Sequence, residues 1–261
     1  MKLVDKIATK TSHGCLSKGW YESGGELYLI KGNSGLGNLE PYSEVIASRI
    51  GKLLNLNIVE YNLVPSELFP DITGFDIEHY SICKSYKSED ITQVLSICTY
   101  LDLYYGKFIQ DYWSALQRSN LDLEYTYKLL LFDAFIGNQD RHLNNWEVGF
   151  TKEGTLINLP IMDNGASLLY NQTLTDLKSK WSLGVDKAKP FKKTHREQVD
   201  LIKKSLKGSK LFKFINKEYF LQEVLNINQD IFSILGEERT HYIIKYLNNR
   251  FVYLEEVMES V

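Results

Sequence analysis

Two rhythms of apolar residues divide the chain. Before about residue 88 they come in short runs broken by Gly, Asn and Pro, such as Glu26-Leu27-Tyr28-Leu29-Ile30-Lys31 and Asn57-Ile58-Val59-Glu60-Tyr61-Asn62-Leu63-Val64, which predict strands. Gly24-Gly25 reads as the hairpin turn before the strand that ends at Lys31, with a phosphate loop as the alternative. One helix interrupts these strands. Pro41 suits its first turn, Ile46, Ile50, Leu53 and Leu54 form an apolar stripe, and Asn55 ends it. Glu44 falls on another face, in line with the small Ala47, Ser48 and Gly51, so that face can approach a sheet and its carboxylate can meet a strand lysine.

From Asp90 the period becomes helical, predicting helices over 90–117, 122–136, 195–206, 217–226 and 238–258. In the last, Ile243, Leu247, Phe251, Leu254 and Met258 recur at helical steps, the stripe of a helix laid on a core. The aromatics from Tyr100 to Tyr105, with Trp113, read as core. After the helix carrying Tyr127, Leu130, Leu131 and Ala134 comes a dense polar loop, Ile136-Gly137-Asn138-Gln139-Asp140-Arg141-His142-Leu143-Asn144-Asn145. A strand pair follows, Trp146 to Phe150 and Thr155 to Leu159 around Thr151-Lys152-Glu153-Gly154, and delivers Asp163-Asn164-Gly165. No repeat, low-complexity tract or long linker separates the halves, so they read as lobes sharing one cleft and joined near Ser81-Ile82-Cys83-Lys84-Ser85-Tyr86.

Composition narrows the functions open to such a chain. With 261 residues, 44% hydrophobic and 13% aromatic, it can bury a substantial core. A formal charge of -3 argues against nucleic-acid or membrane-surface binding through bulk electrostatics, so an anionic ligand needs a local site. Cys15, Cys83 and Cys98 form no C-x-x-C pair and, being odd in number, no complete disulfide set, which points to a reducing compartment. The start Met1-Lys2-Leu3-Val4-Asp5-Lys6 has no continuous apolar region, and nowhere do eighteen apolar residues run together; the expectation is a cytoplasmic protein with no membrane association.

Phosphoryl transfer requires a group that orients and deprotonates the attacking hydroxyl, oxygen ligands for magnesium, and a cation on the phosphates. Asp140 followed five residues later by Asn145 has the spacing of a kinase catalytic base and its magnesium-binding Asn. Asp163-Asn164-Gly165 stands after a hairpin where a kinase metal ligand stands, and Lys31 and Glu44 come in the order of the strand lysine and helix glutamate. Taken singly, each has a plainer explanation: Asp140 or Asn145 as a helix cap or turn former, Lys31 as a solvated strand end, Glu44 as an exposed first-turn carboxylate. Four roles in one correct order outweigh those explanations. Lys192-Lys193 and Lys203-Lys204 read as solvated faces, and His13, His79, His195 and His241 show no metal-ligand spacing.

Gly137-Asn138-Gln139-Asp140-Arg141-His142-Leu143-Asn144-Asn145 and Pro160-Ile161-Met162-Asp163-Asn164-Gly165-Ala166-Ser167-Leu168 resemble the catalytic and metal-binding motifs of HipA-like serine/threonine kinases, the toxin kinases of bacterial toxin-antitoxin modules. The resemblance runs from about Thr11 to the C-terminal helices, and His142 follows Asp140 by two positions as in that family. It implies an α+β, two-lobed, protein-kinase-like fold: a small mixed N-lobe over 1–82 that binds the ATP phosphates, a hinge at 83–88 and a largely helical C-lobe over 89–261. It implies ATP and Mg2+ as cofactors, Asp140 as base, Asn145 and Asp163 as metal ligands, and Lys31 on the phosphates, with Glu44 beside it and Cys83 and Ser85 of the hinge region at the nucleotide. His142 reads as a hydrogen-bond donor shaping the catalytic loop rather than a proton carrier. Thr11-Ser12-His13-Gly14-Cys15-Leu16-Ser17-Lys18 is similar to the family's phosphate loop, with Thr11, Ser12, Gly14, Ser17 and Lys18 as its candidates for phosphate binding or autophosphorylation. The implied partners are a protein substrate and an antitoxin, with no direct nucleic-acid contact, and the chain length implies a compact variant or a separate partner chain for the family's N-terminal extension. A small-molecule kinase and an inactive nucleotide-binding regulator stand as alternatives.

Overall fold

In the computed structural model, which describes residues 2–3, 17–35, 37–72, 75, 77–106, 109–179, 187–203 and 216–259, the first half builds an antiparallel sheet. Strand β1 (Lys2–Leu3) pairs with β2 (Lys18–Ser23), and β2 turns back into β3 (Glu26–Lys31). The turn is Gly24-Gly25, with φ of 61° and 79°; a two-residue hairpin needs positive φ at both positions, which glycine adopts without strain. Helix α1 (Glu40–Leu53) follows, then β4 (Asn62–Pro65) and β5 (His79–Lys84), giving the sheet order β1-β2-β3-β5-β4.

Pro41 lies in the first turn of α1, and the helix is buried on more than one side. Val45, Ile46 and Ile50 enter the core, while Gly51 lies so close to the following segment that a Cβ there would meet Ile58 Cδ1 at 2.6 Å. Ser48 Oγ donates to Val59 O at 2.8 Å and accepts from Tyr61 N–H at 3.1 Å, satisfying backbone groups that no strand partner reaches. Leu53, expected in the apolar stripe, is instead exposed. The strand expected over Asn57–Val64 is shorter: Ile58 makes an isolated parallel bridge with Ile161, and the strand begins at Asn62.

The single helix expected over 90–117 is three elements. Residues 91–96 form β6 (Ile91–Ser96), drawn into a second sheet by pairing with a later strand. Ser96 caps α2 (Ile97–Tyr105) by accepting from Thr99 N–H, Gly106 at φ 89° ends it, and Asp111 caps α3 (Tyr112–Gln117) through Trp113 and Ser114 N–H. These caps are stronger local signals than the aromatic spacing that suggested one helix. Tyr100, Leu101 and Trp113 are buried, but Leu103, Tyr104 and Tyr105 face outward, since nine helical residues bury only one side.

Helix α4 (Leu123–Ile136), the central core helix, precedes the polar loop, and β7 (Glu147–Thr151) and β8 (Leu156–Asn158) complete the sheet order β6-β7-β8. Then come α5 (Leu174–Ser179), α6 (His195–Ile202), α7 (Lys217–Ile227), α8 (Gln229–Leu235) and α9 (Glu237–Glu259). The stripe Ile243, Leu247, Phe251 and Leu254 of α9 is buried as expected, against α4 and α7. The main core runs without a break from α1 and Cys83 through α2, α3, α4 and α6 to α9. A smaller cluster, Tyr21, Ile30, Phe69, Ile72 and Tyr80, lies within the first half. The architecture is α+β, with a small antiparallel sheet in the N-terminal part and a helical C-terminal part. Among the described residues no helix is long and apolar enough to cross a membrane.

His195 opens α6 and is 1% exposed. Burial, aided by the nearby Arg250 guanidinium and opposed by a backbone contact with Asn138, pulls its pKa down to about 3. An unfolded histidine titrates near about 6.5. Between those values the unfolded chain binds a proton that the folded one refuses, so the group's contribution to stability is complete above the unfolded pKa and drains away as pH falls toward the folded one. From pH 6.5 to pH 5 this costs about 2 kcal/mol. Urea unfolding at the two pH values will show a smaller acid loss in His195→Gln than in wild type; equal losses would mean the imidazole is not held neutral.

Candidate active site

The site begins where β3 ends. Lys31 is 5% exposed, its Nζ 2.6 Å from Glu44 Oε2 of α1 and 2.6 Å from Asp163 Oδ1, and 5.1 Å from the centre of the Tyr61 ring. Glu44 uses its other oxygen to accept from Asn164 N–H at 2.7 Å, so one carboxylate joins the strand lysine to the backbone of the 163–165 segment. Burial would lower the Lys31 pKa, but Asp163 and Glu44 outweigh it and hold the ammonium charged. Burial would likewise push the Asp163 carboxyl up; Lys31, then Arg141 and Lys18, reverse this and keep it below the usual carboxylate range. Asp163 has φ 61°, and a Cβ on Gly165 would meet Glu40 O at 3.1 Å, so this turn passes close against the start of α1.

The polar loop reaches Asp163 from the opposite side. Gly137 ends α4 at φ 66°, where a side chain would run into the Tyr246 hydroxyl. Asn138 then organises the turn: its amide oxygen accepts from Asp140 N–H at 3.0 Å, and its amide nitrogen donates to Asp133 Oδ1 at 3.2 Å and Asp163 O at 3.4 Å. Gln139 N–H donates to Ala166 O at 2.9 Å, stitching the loop to the 163–168 segment. Asn145 Nδ2 donates to Asp140 O at 3.0 Å, which leaves its amide oxygen as the group available for a cation.

Beneath the loop, Arg141 is 1% exposed and pairs with the equally buried Asp133 of α4 at 3.0 Å. Its guanidinium also donates to Asn145 O at 2.8 Å, to Met162 O and to Asn164 Oδ1. A single planar cation therefore ties together the α4 helix, the end of the 138–145 loop and the residues on both sides of Asp163. Burial pushes the Asp133 carboxyl up, opposed by Arg141 and by the Asn138 amide.

Other expected residues fall at varied distances from this centre. Lys18 lies opposite Lys31 on β2, half-buried, where burial lowers its pKa against the pull of Asp163. Ser17 accepts from Gly32 N–H at 2.8 Å through its carbonyl, beside the end of β3. Thr11, Ser12 and Gly14 lie outside the described residues. Cys83 is buried behind Lys31, and burial pushes its thiol up to about 11, against the pull of Lys31 and a hydrogen bond with Tyr61. Ser85 spends its backbone N–H on Leu27 O at 2.7 Å. The His142 imidazole makes no bond to Asp140; its backbone N–H donates to Asp140 O at 2.7 Å, and its Nδ1 has no partner. The Asp140 carboxylate, 41% exposed, faces out of the loop and forms an ion pair with Lys189.

Sequence reasoning passed over Arg141, Asp133, Asn138 and Lys189. Asp133 carried a usable signal: it is a charge inside the apolar run Leu129-Leu130-Leu131-Phe132-Asp133-Ala134-Phe135-Ile136, where burial demands a cation. Another unread contact joins the segment after β5 to the second sheet, where the Tyr86 hydroxyl donates to Glu147 and touches Met162 Sδ at 3.1 Å.

Among the described residues no three Asp, Glu, His or Cys side chains cluster as a metal cage. Magnesium does not ask for one: it is held by one or two protein oxygens and the substrate's phosphates. The free amide oxygen of Asn145 and the ionised, partly exposed carboxylate of Asp163 are hard oxygen donors that fit it.

No family model matches the chain, and no curated protein matches it. Among solved structures it is similar to the Helicobacter pylori proinflammatory kinase CtkA, at 16% identity and a TM-score of 0.60 over 95% of this chain and 91% of that one. It is also similar to a structure of the Shewanella oneidensis MR-1 toxin-antitoxin system containing HipA, HipB and operator DNA, at 13% identity and a TM-score of 0.49 over 92% of this chain and 64% of that one. The first likeness defines the fold as kinase-like.

Removing Asp133 leaves the Arg141 guanidinium buried without its counter-charge. Asp133→Ala is expected to destabilise the protein by about 3–5 kcal/mol in urea unfolding. A loss below about 1 kcal/mol, the scale of an exposed pair, would show that the ion pair does not anchor the loop.

Proposed function

We propose that the chain is an ATP- and magnesium-dependent kinase that transfers the γ-phosphoryl to Ser/Thr hydroxyls of proteins. One observation carries this reading: a buried lysine from β3 stands 2.6 Å from two carboxylates, one on α1 and one beside the catalytic-type loop, 13 and 132 positions away in sequence. A structural ion pair needs only one of them. Two carboxylates at one lysine, with the loop that carries a half-exposed Asp140 and an oriented Asn145 bonded to the 163–168 segment, form a set matched to phosphoryl transfer.

In this reading Lys31 and Lys18 hold the phosphates, and Asn145 and Asp163 hold magnesium, which when bound neutralises phosphate charge and orients the terminal group. The adenine of the nucleotide lies against the 83–88 segment, with Cys83 and Ser85, between a small lobe over 1–82 and a larger one over 89–261. Asp140 receives the acceptor hydroxyl and takes its proton. Lys31 and the Arg141-held loop act by positioning, since a dissociative phosphoryl transfer asks little covalent chemistry of the protein. The protein acceptor, an antitoxin partner, a cytoplasmic site of action and autophosphorylation at Thr11 or Ser12 rest on the motif resemblance to HipA-like kinases.

The test is transfer from γ-labelled ATP to lysate proteins and to the chain itself, read by autoradiography and mass spectrometry. Asp140→Ala and Asp163→Ala are each expected to lower transfer at least about a hundredfold while the circular dichroism spectrum is kept. Undiminished transfer in either variant refutes that residue's role, and label found only in small molecules replaces the protein acceptor with a metabolite. Lys31→Ala should raise KM for ATP and lower kcat together; both unchanged would remove Lys31 from the site.

A further inference from the structure

Asp140 is not vacant. The ammonium of Lys189, 49 positions downstream, covers its Oδ1 as an ion pair without hydrogen-bond geometry, and among the described residues no other cationic side chain forms an ion pair with it. Lys189 precedes a built turn. Pro190 is buried, the Phe191 ring packs edge-on against Trp113 of α3 with centroids 5.2 Å apart, and the buried Gln198 of α6 donates to both Pro190 O and Lys193 O at 2.9 Å. Phe191 and Lys192 have φ of 59° and 54°, a left-handed backbone that non-glycine residues avoid unless the surroundings enforce it. The turn is thus fixed to two helices, while the lysine side chain, 55% exposed, is free to swing from its tip.

In a transfer reaction the acceptor hydroxyl must contact Asp140 and lie about 3–3.5 Å from the phosphorus it attacks. A cation already touching Asp140 is therefore within side-chain reach of the oxygens of the transferring group. Lys31 does not serve that side, because its ammonium is held between Glu44 and Asp163. The adjacent Arg141 spends its guanidinium on Asp133, Asn145, Met162 and Asn164, and His142 Nδ1 has no partner. We propose that Lys189 is a further catalytic residue: resting on Asp140 in the free protein, its ammonium moves to the γ-phosphoryl oxygens when the nucleotide binds, releasing the carboxylate to receive the acceptor hydroxyl. The inference rests on the kinase reading above. The acceptor oxygen bonds to the γ-phosphorus, the bond from that phosphorus to the β,γ-bridging oxygen breaks, ADP leaves with the electron pair, and the hydroxyl proton passes to Asp140. Lys189 gives and takes no proton; it offsets charge on the phosphoryl in flight. An autoinhibitory plug would need a segment able to withdraw, whereas this turn is anchored on both α3 and α6.

The test compares binding of β,γ-imido ATP and of ADP, each with magnesium, by titration calorimetry, and transfer from labelled ATP, in wild type, Lys189→Ala, Lys189→Arg and the exposed neighbour Lys187→Ala. Lys189→Ala should weaken β,γ-imido ATP about tenfold, the scale of one charge-assisted hydrogen bond, with ADP affinity unchanged. Transfer should fall about a hundredfold. Lys189→Arg should restore part of both, and Lys187→Ala should behave as wild type. Lys189→Ala transferring as fast as wild type or faster, or losing both nucleotides equally, overturns the inference and leaves the kinase reading standing. A wild-type chain that binds neither nucleotide sinks the kinase reading and this inference with it.

Discussion

The buried guanidinium of Arg141 is the constraint on which the rest of the site depends. An arginine has five N–H donors in a fixed plane, and all five are used here: two bonds to Asp133, and one each to Asn145 O, Met162 O and Asn164 Oδ1. Its charge costs several kcal/mol to bury, and only a complete set of acceptors offsets that. Because the acceptors come from α4, the loop and the strand exit, satisfying one side chain fixes three backbone segments relative to each other. Asp140 and Asn145 sit at either end of the stretch so held, and Asp163 lies between two of its acceptors. A lysine in that place has three donors and no plane, so it would hold neither the number nor the directions.

Charge around the centre is nearly balanced. Lys31, Lys18 and Lys189 face Glu44, Asp163 and Asp140, and the chain as a whole is mildly acidic. Such a site attracts a polyphosphate weakly by itself. Under the proposed kinase reading, this charge balance favours a nucleotide that arrives with its divalent cation, which Asn145 and Asp163 would hold. Balance also explains how a buried Lys31 stays ionised: it has more than one opposite charge beside it, and the Asp163 carboxyl is in turn held below the usual range by the lysine.

What the sequence made legible was local. Asp140 to Asn145 is one turn of chain, and Asp163 follows a hairpin of readable length, so spacing and motif together pointed to them as one candidate site. Glu44 was readable because helical periodicity assigned it to the face with Ala47, Ser48 and Gly51, which does pack closely. The misreadings arose where tertiary pairing or capping overrode a period. Ile91 to Ser96 look helical in a window with α2, and become a strand because β7 offers hydrogen bonds on one side. Leu53 and Tyr104 obey the helical repeat yet remain exposed. Lys189 had no signal at all: the chain between α5 and α6 has no apolar period, and an ion pair 49 residues apart leaves no trace in spacing.

The sheet-bearing and helical parts are joined by more than the segment after β5. Val59 N–H donates to Ile161 O and Ile161 N–H to Asn57 O, both at 2.8 Å, so the segment after α1 is bridged to the segment between β8 and Asp163. Arg49 on α1 reaches Ile227 O at 2.8 Å and Asp230 at 2.6 Å, and Tyr86 is bonded to Glu147. The main core passes through the same region. Moving the two parts against each other by several ångströms would break backbone hydrogen bonds and open apolar contacts together. Large excursions between the parts are therefore costly, and adjustment at the site falls to side chains with exposed ends, Lys189 above all. For the proposed reaction, governed by placement and charge, a stiff frame with a movable cation satisfies both requirements: Asn145, Asp163 and Asp140 would hold their geometry, and the charge of Lys189 would follow the group transferred.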